Sequence, residues 1–271
     1  MDVRAPAIAL ALFATAGAQA ATQTYPLATP VPRTTSAPAL RALAQRREID
    51  ERFSFGVQAL RRTEWARAAA EFERVTSLHP SEPQGSTARY DLGIAYANLR
   101  RFNEAAAQFR AAISSDPNFL AAMANLVAVD VARGDLAEAR SVANRFVAAA
   151  PDSARALYTR GIVALKSGDN ALAESDFSRL LKADSRYAVA HYDLGIAQSH
   201  LGRYASAARE FALALDLAPA YARARFALGT ILLREGNRAG ARSAFDRVVS
   251  DPNGDPALRN LAVALRDAIR I

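Results

Sequence analysis

The residues able to do chemistry are few and scattered. The chain of 271 residues has no cysteine, three histidines and two lysines, Lys166 and Lys182. His191 and His200 are nine apart, so on one helix they sit on opposite sides. His79 stands beside Pro80 in a distant segment. There is no H-E-x-x-H and no thiol, so a zinc site is not expected. Val163 and Arg179 lie three residues before the lysines, which excludes S-x-x-K. Neither G-x-S-x-G nor a phosphate-cradling glycine loop occurs. Asp251-Pro-Asn253-Gly-Asp255 resembles the start of a calcium loop, but Pro256 stands where glycine is needed and Ala262 where the bidentate glutamate belongs. It reads as a turn. No enzyme, metal or cofactor is expected.

What the chain does have is a period. YDLGIA occurs at 90–95 and again at 192–197, an offset of three times 34. Gly93, Val127, Gly161, Gly195 and Gly229 keep that spacing. Gly56 precedes Gly93 by 37, which places three extra residues near Ser81–Gly85. An alanine follows each by twelve: Ala68, Ala105, Ala139, Ala173, Ala207 and Ala241. A phenylalanine follows in five units: Phe72, Phe109, Phe177, Phe211 and Phe245. A repeat of this length predicts stacked supersecondary units rather than one wrapped core.

Each unit reads as two short amphipathic helices. Leu92, Gly93 and Tyr96 share one face of a first helix; Ala105, Phe109 and Ala112 share one face of a second. Gly134, Gly168, Gly202 and Gly236 are placed to end first helices in a left-handed conformation. Pro80, Pro117, Pro151 and Pro219 stop second helices, since proline cannot continue the hydrogen bonding.

The pattern resembles the tetratricopeptide repeat (TPR) family. With Gly93 numbered as position 8, the family's residues at 7, 8, 11, 20, 24, 27 and 32 are met by Leu92, Gly93, Tyr96, Ala105, Phe109, Ala112 and Pro117. The fifth unit departs at position 11, where it has Gln198. The resemblance implies an all-α fold, a right-handed α-solenoid of about six helix-turn-helix repeats with a C-terminal capping helix. The repeats fall at about 49–85, 86–119, 120–153, 154–187, 188–221 and 222–255, within an array of 39–255. Residues 256–271 form the cap, with Leu258, Leu261, Leu265 and Ile269 at helical spacing.

Residues 1–20 read as a secretory signal peptide: Arg4, the apolar stretch Ala7–Ala16, then Ala18-Gln19-Ala20 as an A-x-A cleavage site. Asp2 offsets Arg4. Residues 21–38, with four prolines among Thr, Ser and Ala, read as a disordered tether. The expected location is periplasmic or secreted. No later stretch is long and apolar enough to span a membrane. Net charge is +7, almost all from arginine. An acidic partner, an anionic glycan or a membrane surface would suit it; a compositional bias towards arginine is the other reading, and the spread of arginines along the chain favours it. No nucleic-acid partner is expected.

In the TPR family the concave surface comes from positions 2, 5, 9 and 12 of first helices. Here that implies an aromatic row, Phe53, Tyr90, Tyr158, Tyr192 and Phe226, beside an aliphatic row containing Ile94, Ile162 and Ile196. Arg155 and Arg223 at position 2, with Arg61, Lys166, His200 and Arg234 at position 13, would rim it. The expected function is a non-enzymatic protein-interaction scaffold of the bacterial envelope, binding an extended or helical peptide with acidic residues. The tyrosines have a second reading, as packing between neighbouring helices. An accessory role in polysaccharide or polymer export is the alternative function. Trp65, the only tryptophan, is expected in an inter-helix turn. Repeat three breaks the pattern with Val127, Asp130 and Ala143, and repeat four carries Arg160 where leucine is usual. Asp130 and Arg160 are expected to pair, with Asp176 as the other candidate partner of Arg160.

Overall fold

The computed structural model describes residues 36–269. They form an all-α array of consecutive helix pairs, without a strand among the described residues. The chain divides into two compact units that meet in sequence at Ala149 and Ala150. The first unit contains α1 (Ala37–Arg61), α2 (Trp65–Ser77), α3 (Gln84–Asn98), α4 (Phe102–Ser115), α5 (Leu120–Arg133) and α6 (Leu136–Ala149). The second contains α7 (Ala154–Lys166), α8 (Asn170–Ala183), α9 (Ala188–His200), α10 (Tyr204–Leu217), α11 (Ala222–Arg234), α12 (Arg238–Val249) and α13 (Pro256–Ala268). Within each unit every helix packs on its successor, and first helices touch the next first helix, as α1 on α3 and α9 on α11. The expected leader 1–20 and nearly all of the expected tether lie outside the described residues. At its end, α1 already begins at Ala37 with Pro38 in its first turn, a position where proline's missing N–H costs nothing.

Local chemistry explains where helices stop. Gly134, Gly168, Gly202 and Gly236 each follow a first helix by one or two residues, with φ between 75° and 81°. In the first two repeats the same place is taken by Thr63 and Arg100, held at φ 59° and 60°. Four of the second helices end two or three residues before Pro80, Pro117, Pro151 and Pro219. Trp65, expected in a turn, is instead the first residue of α2.

The close approach within a repeat rests on one pair of positions. A Cβ built on Gly195 would stand 2.6 Å from the Phe211 ring; on Gly93, 2.6 Å from Phe109; on Gly161, 2.6 Å from Phe177. Gly56 with Phe72 and Gly229 with Phe245 give 2.7 and 2.8 Å. Any side chain at position 8 therefore collides with the ring that fills position 24, in a core packed as densely as a crystal. Repeat three solves the same problem by exchange. Val127 takes the glycine's place and Ala143 the ring's, and both are buried. Phe146, one turn further along α6, is buried as well and supplies the aromatic volume.

Of the two partners expected for Arg160, the structure gives Asp176 and not Asp130. Arg160 forks onto Asp176 of its own repeat, Nε and Nη2 each donating at 2.7 Å. Asp130 instead accepts from Arg133, three residues along α5, at 2.9 Å, and more distantly from Arg110 of α4 at 3.4 Å. The reason is proximity: each acid has an arginine within its own helix pair, and a fixed guanidinium fork fits a carboxylate best at short range. Burial still pushes the Asp130 carboxyl up to about 6, against the pull of both arginines.

The last helix closes the second unit. Asp255 caps α13 through the Ala257 amide at 2.9 Å. Leu258, Ala262 and Ile269 join Ala241, Phe245 and Val248 in one core, with Leu265 and Phe226 against it. Leu261, expected on that face, is exposed. The turn before α13 is an Asx turn, Asp251 accepting from the Asn253 amide at 3.0 Å.

Candidate functional site

The expected groove residues all lie on first helices, and their rings are anchored from below. Phe53, Tyr90, Tyr158, Tyr192 and Phe226 each meet the phenylalanine of their own repeat, with centroids 5.6 to 5.9 Å apart. These are tilted or edge contacts, the arrangement that ring quadrupoles favour. Three also meet a second ring: Tyr90 with Phe119 at 4.8 Å, Tyr158 with Tyr187 at 6.1 Å, Tyr192 with Tyr221 at 5.1 Å. The sequence reading missed Phe119, Tyr187 and Tyr221. The signal was there, since 119, 153, 187 and 221 keep the 34-residue period, with Ser153 the one non-aromatic member.

Within each unit a polar contact links one tyrosine of the row to the next repeat. The Tyr158 hydroxyl donates to Asp193 Oδ2 at 2.9 Å, from one repeat to the next. Asn125 donates to the Tyr90 hydroxyl at 3.3 Å in the equivalent register. Burial raises the Asp193 carboxyl to about 7, opposed by the Tyr158 hydrogen bond and the nearby Arg223 charge. Burial also lifts the phenols of Tyr158 and Tyr192, and the Asp193 charge lifts them further.

Between repeats one and two that contact is missing. Asp91 occupies the same position in repeat two, opposite Phe53, which has no hydroxyl to give. Its Oδ1 is buried without a hydrogen-bond partner, and burial pushes the carboxyl from 3.8 up to about 8. The folded chain therefore keeps a proton that the unfolded chain releases. The resulting penalty is absent below the unfolded value, grows as pH rises from about 4 to about 8, and is constant above. Asp91→Asn copies repeat three and removes that titration. We expect it to stabilise by about 1–3 kcal/mol at pH 8 and by far less at pH 4. Melting curves of both proteins at the two pH values check this; a constant difference would show that Asp91 ionises normally. Phe53→Tyr should recover part of the same gain at neutral pH.

The two units present their rows differently. In the first, Phe53, Tyr90 and Ile94 are all buried. In the second, Tyr158, Ile162, Tyr192, Ile196 and Phe226 are half-buried, as are Arg155 and Arg223. The rim residues end their helices: Arg61 in α1, Lys166 in α7, His200 in α9, Arg234 in α11, and the arginines and the lysine there face the negative end of the dipole. Arg234 lies over the Tyr204 ring at 4.9 Å and donates to its hydroxyl at 2.8 Å. His200 contacts Asn170 through Nδ1 at 3.1 Å.

The histidines do not converge. His191 is buried, tied by Nδ1 to Glu210 at 2.7 Å and by Nε2 to the Ser185 carbonyl at 3.0 Å. That arrangement fixes α9 against α10. Among the described residues no three His, Asp or Glu side chains gather as metal ligands, and no helix is long and apolar enough to cross a membrane.

Comparison with known proteins follows the same register. Two family profiles, both described as tetratricopeptide repeat, match residues 53–118 with 158–222 and 100–160 with 200–265. Among solved structures, a tetratricopeptide repeat protein from Parabacteroides merdae is similar with a TM-score of 0.71 at 17% identity, covering 82% of this chain and 88% of that one. PilF of Pseudomonas aeruginosa gives 0.65 at 16% identity, over 82% and 99%. YrrB, described as a TPR protein with an unusual peptide-binding site, gives 0.58 at 19% identity, over 73% and 100%. No curated protein matches the chain.

Proposed function

Because this chain belongs to the tetratricopeptide-repeat family, we propose that it is a non-enzymatic scaffold of the bacterial cell envelope whose second unit holds a peptide. One observation carries the reading: Tyr158, Ile162, Tyr192 and Ile196 form a half-exposed apolar row on first helices, with Arg155 and Arg223 beside it. Rings fixed from below lose little entropy when a partner covers them, which is why such tyrosines serve well as anchors. The two arginines favour a peptide that carries carboxylates near its apolar residues. YrrB, with its peptide-binding site, lends the reading support by likeness of fold. Exposed edges such as Tyr187 and Val189 extend the row.

The proposed location rests on the leader-like pattern of residues 1–20. Export with cleavage after Ala20 places the array in the periplasm or outside the cell. N-terminal sequencing of the mature protein from an envelope fraction tests it, and a chain recovered with Met1 in the cytoplasm would refute it.

The binding reading is tested by capture from the same fraction with the intact chain and two variants. Tyr158→Ala with Tyr192→Ala should lower partner recovery at least about tenfold. Since Tyr158 also bonds Asp193, Ile162→Ser with Ile196→Ser serves as the second variant. Helical content by circular dichroism must stay unchanged in both. Equal recovery by the intact chain and both folded variants would end the proposal.

A further inference from the structure

The two copies of YDLGIA meet different surroundings. The helices that carry them, α3 and α9, pack on equivalent sets of neighbours: the second helix of the same repeat, the second helix of the preceding repeat, and the first helices on either side. In the second unit the copy keeps Tyr192 and Ile196 half-exposed, with Val189 37% and Tyr187 45% exposed beside them. In the first unit Tyr90 is 0% and Ile94 2% exposed. Phe53, Ala97, Ala124 and Ala128 at positions 5, 9 and 12 are buried as well, while Val57 and Leu60 of the first repeat are half-buried. Identical residues with equivalent helical neighbours have lost their water in one unit only. The pairing of helices is the same around both copies; what differs is the side chains of the next repeat, such as Asn125 on the Tyr90 hydroxyl, and the chain that precedes the first unit.

We propose that the apolar row of the first unit is a docking site for residues 21–35 of this same chain. The idea rests on the same groove positions as the function above, but in the other unit. The segment reads Ala-Thr-Gln-Thr-Tyr-Pro-Leu-Ala-Thr-Pro-Val-Pro-Arg-Thr-Thr. Three prolines, Pro26, Pro30 and Pro32, are a composition that favours extended backbone, which lowers the entropy lost on docking. Tyr25, Leu27 and Val31 supply apolar side chains for an apolar row, and Arg33 is the only charged side chain. The reach is sufficient. Fifteen extended residues span about 46 Å at roughly 3.1 Å each. The segment joins the array just before Ala37, and the helix from there to Phe53 is about 24 Å long. That leaves about 20 Å, enough to cross α3 and α5 at a helix spacing of 8–10 Å. The segment is also the nearest chain to the row in sequence, so its effective concentration there exceeds that of a free partner. The first unit's row is then held by the chain itself, and the second unit's row is left for a partner.

The absence of cysteine allows a direct test in the full chain. Ile94→Cys and Ile196→Cys place one thiol at the same position of the two hexapeptides. Labelling by a maleimide reads exposure, because only an accessible thiolate reacts. The Ile94→Cys protein should label at least about ten times more slowly than the Ile196→Cys protein. Adding Tyr25→Ser, Leu27→Ser and Val31→Ser should bring the first rate to within about threefold of the second and leave the second unchanged. Should either variant lose helical content, Ala97→Cys and Ser199→Cys form the equivalent pair. Equal rates at the outset, or a slow rate that survives the tail substitutions, would overturn the proposal. So would acceleration on dilution alone, which would identify a second copy as the cover. Failure of the Tyr158 and Tyr192 binding test leaves these rates untouched, so the two ideas fall separately.

Discussion

Gly195→Val should destabilise the second unit by about 3 kcal/mol or more, and Phe211→Ala should restore much of that loss when combined with it. The geometry sets the expectation. Even the first added carbon at Gly195 stands 2.6 Å from the Phe211 ring, closer than side-chain contacts allow. The ring is 1% exposed and cannot swing into solvent. Phe211→Ala alone should cost about 3–5 kcal/mol, since it leaves a cavity. The double variant recreates the Val127 and Ala143 pair of repeat three, where both side chains are buried. The two losses should therefore fall short of adding by at least about 2 kcal/mol in a double-mutant cycle. Urea titrations of the four proteins give the number. Additivity within about 0.5 kcal/mol would mean that the exchange in repeat three is incidental. Repeat three also places Phe146 one turn away, so the transplanted pair will not regain full stability without it.

The second large effect concerns Arg160. Arg160→Leu restores the usual residue type of the pattern, yet it should destabilise by about 3–5 kcal/mol. The cause is the partner left behind. Asp176 is buried in α8 and receives both of its bonds from the Arg160 fork at 2.7 Å. Without the fork its carboxylate is desolvated and unpaired. Asp176→Leu combined with Arg160→Leu removes both charges, and should recover to within about 1 kcal/mol of the parent or exceed it. Thermal melts decide: a neutral Arg160→Leu would show that the pair is solvated and weak, as exposed pairs are.

Much of this architecture is legible in the sequence. The 34-residue period located the helix pairs and their stops, because glycine in a left-handed turn and proline after a helix are local requirements of the backbone. The contact of position 8 with position 24 was legible too, since small and large residues alternate at a fixed offset. Asp130 was legible as a buried charge, but its partner was not. Arg133 lies three residues along the same helix and Arg110 on the preceding one, and a choice among nearby arginines depends on rotamers that spacing does not encode. Phe119, Tyr187 and Tyr221 kept the period and could have been found; they sit between helices, where no helical face draws attention to them.

The clearest division is inside the hexapeptide. Its leucine and glycine, Leu92 with Gly93 and Leu194 with Gly195, determine the scaffold by sequence alone, because their partners lie a fixed distance away within one repeat. Tyr90 and Ile94, with Tyr192 and Ile196, are the same letters with different fates: buried in one unit, half-exposed in the other. Asp91 and Asp193 differ in the same way, one orphaned opposite Phe53 and one bonded by Tyr158. Only the tertiary structure decided these, because a side chain's burial and hydrogen bonds depend on what the adjacent repeat and the rest of the chain bring to it. A periodic sequence fixes each unit's own packing; it leaves open what stands across the gap.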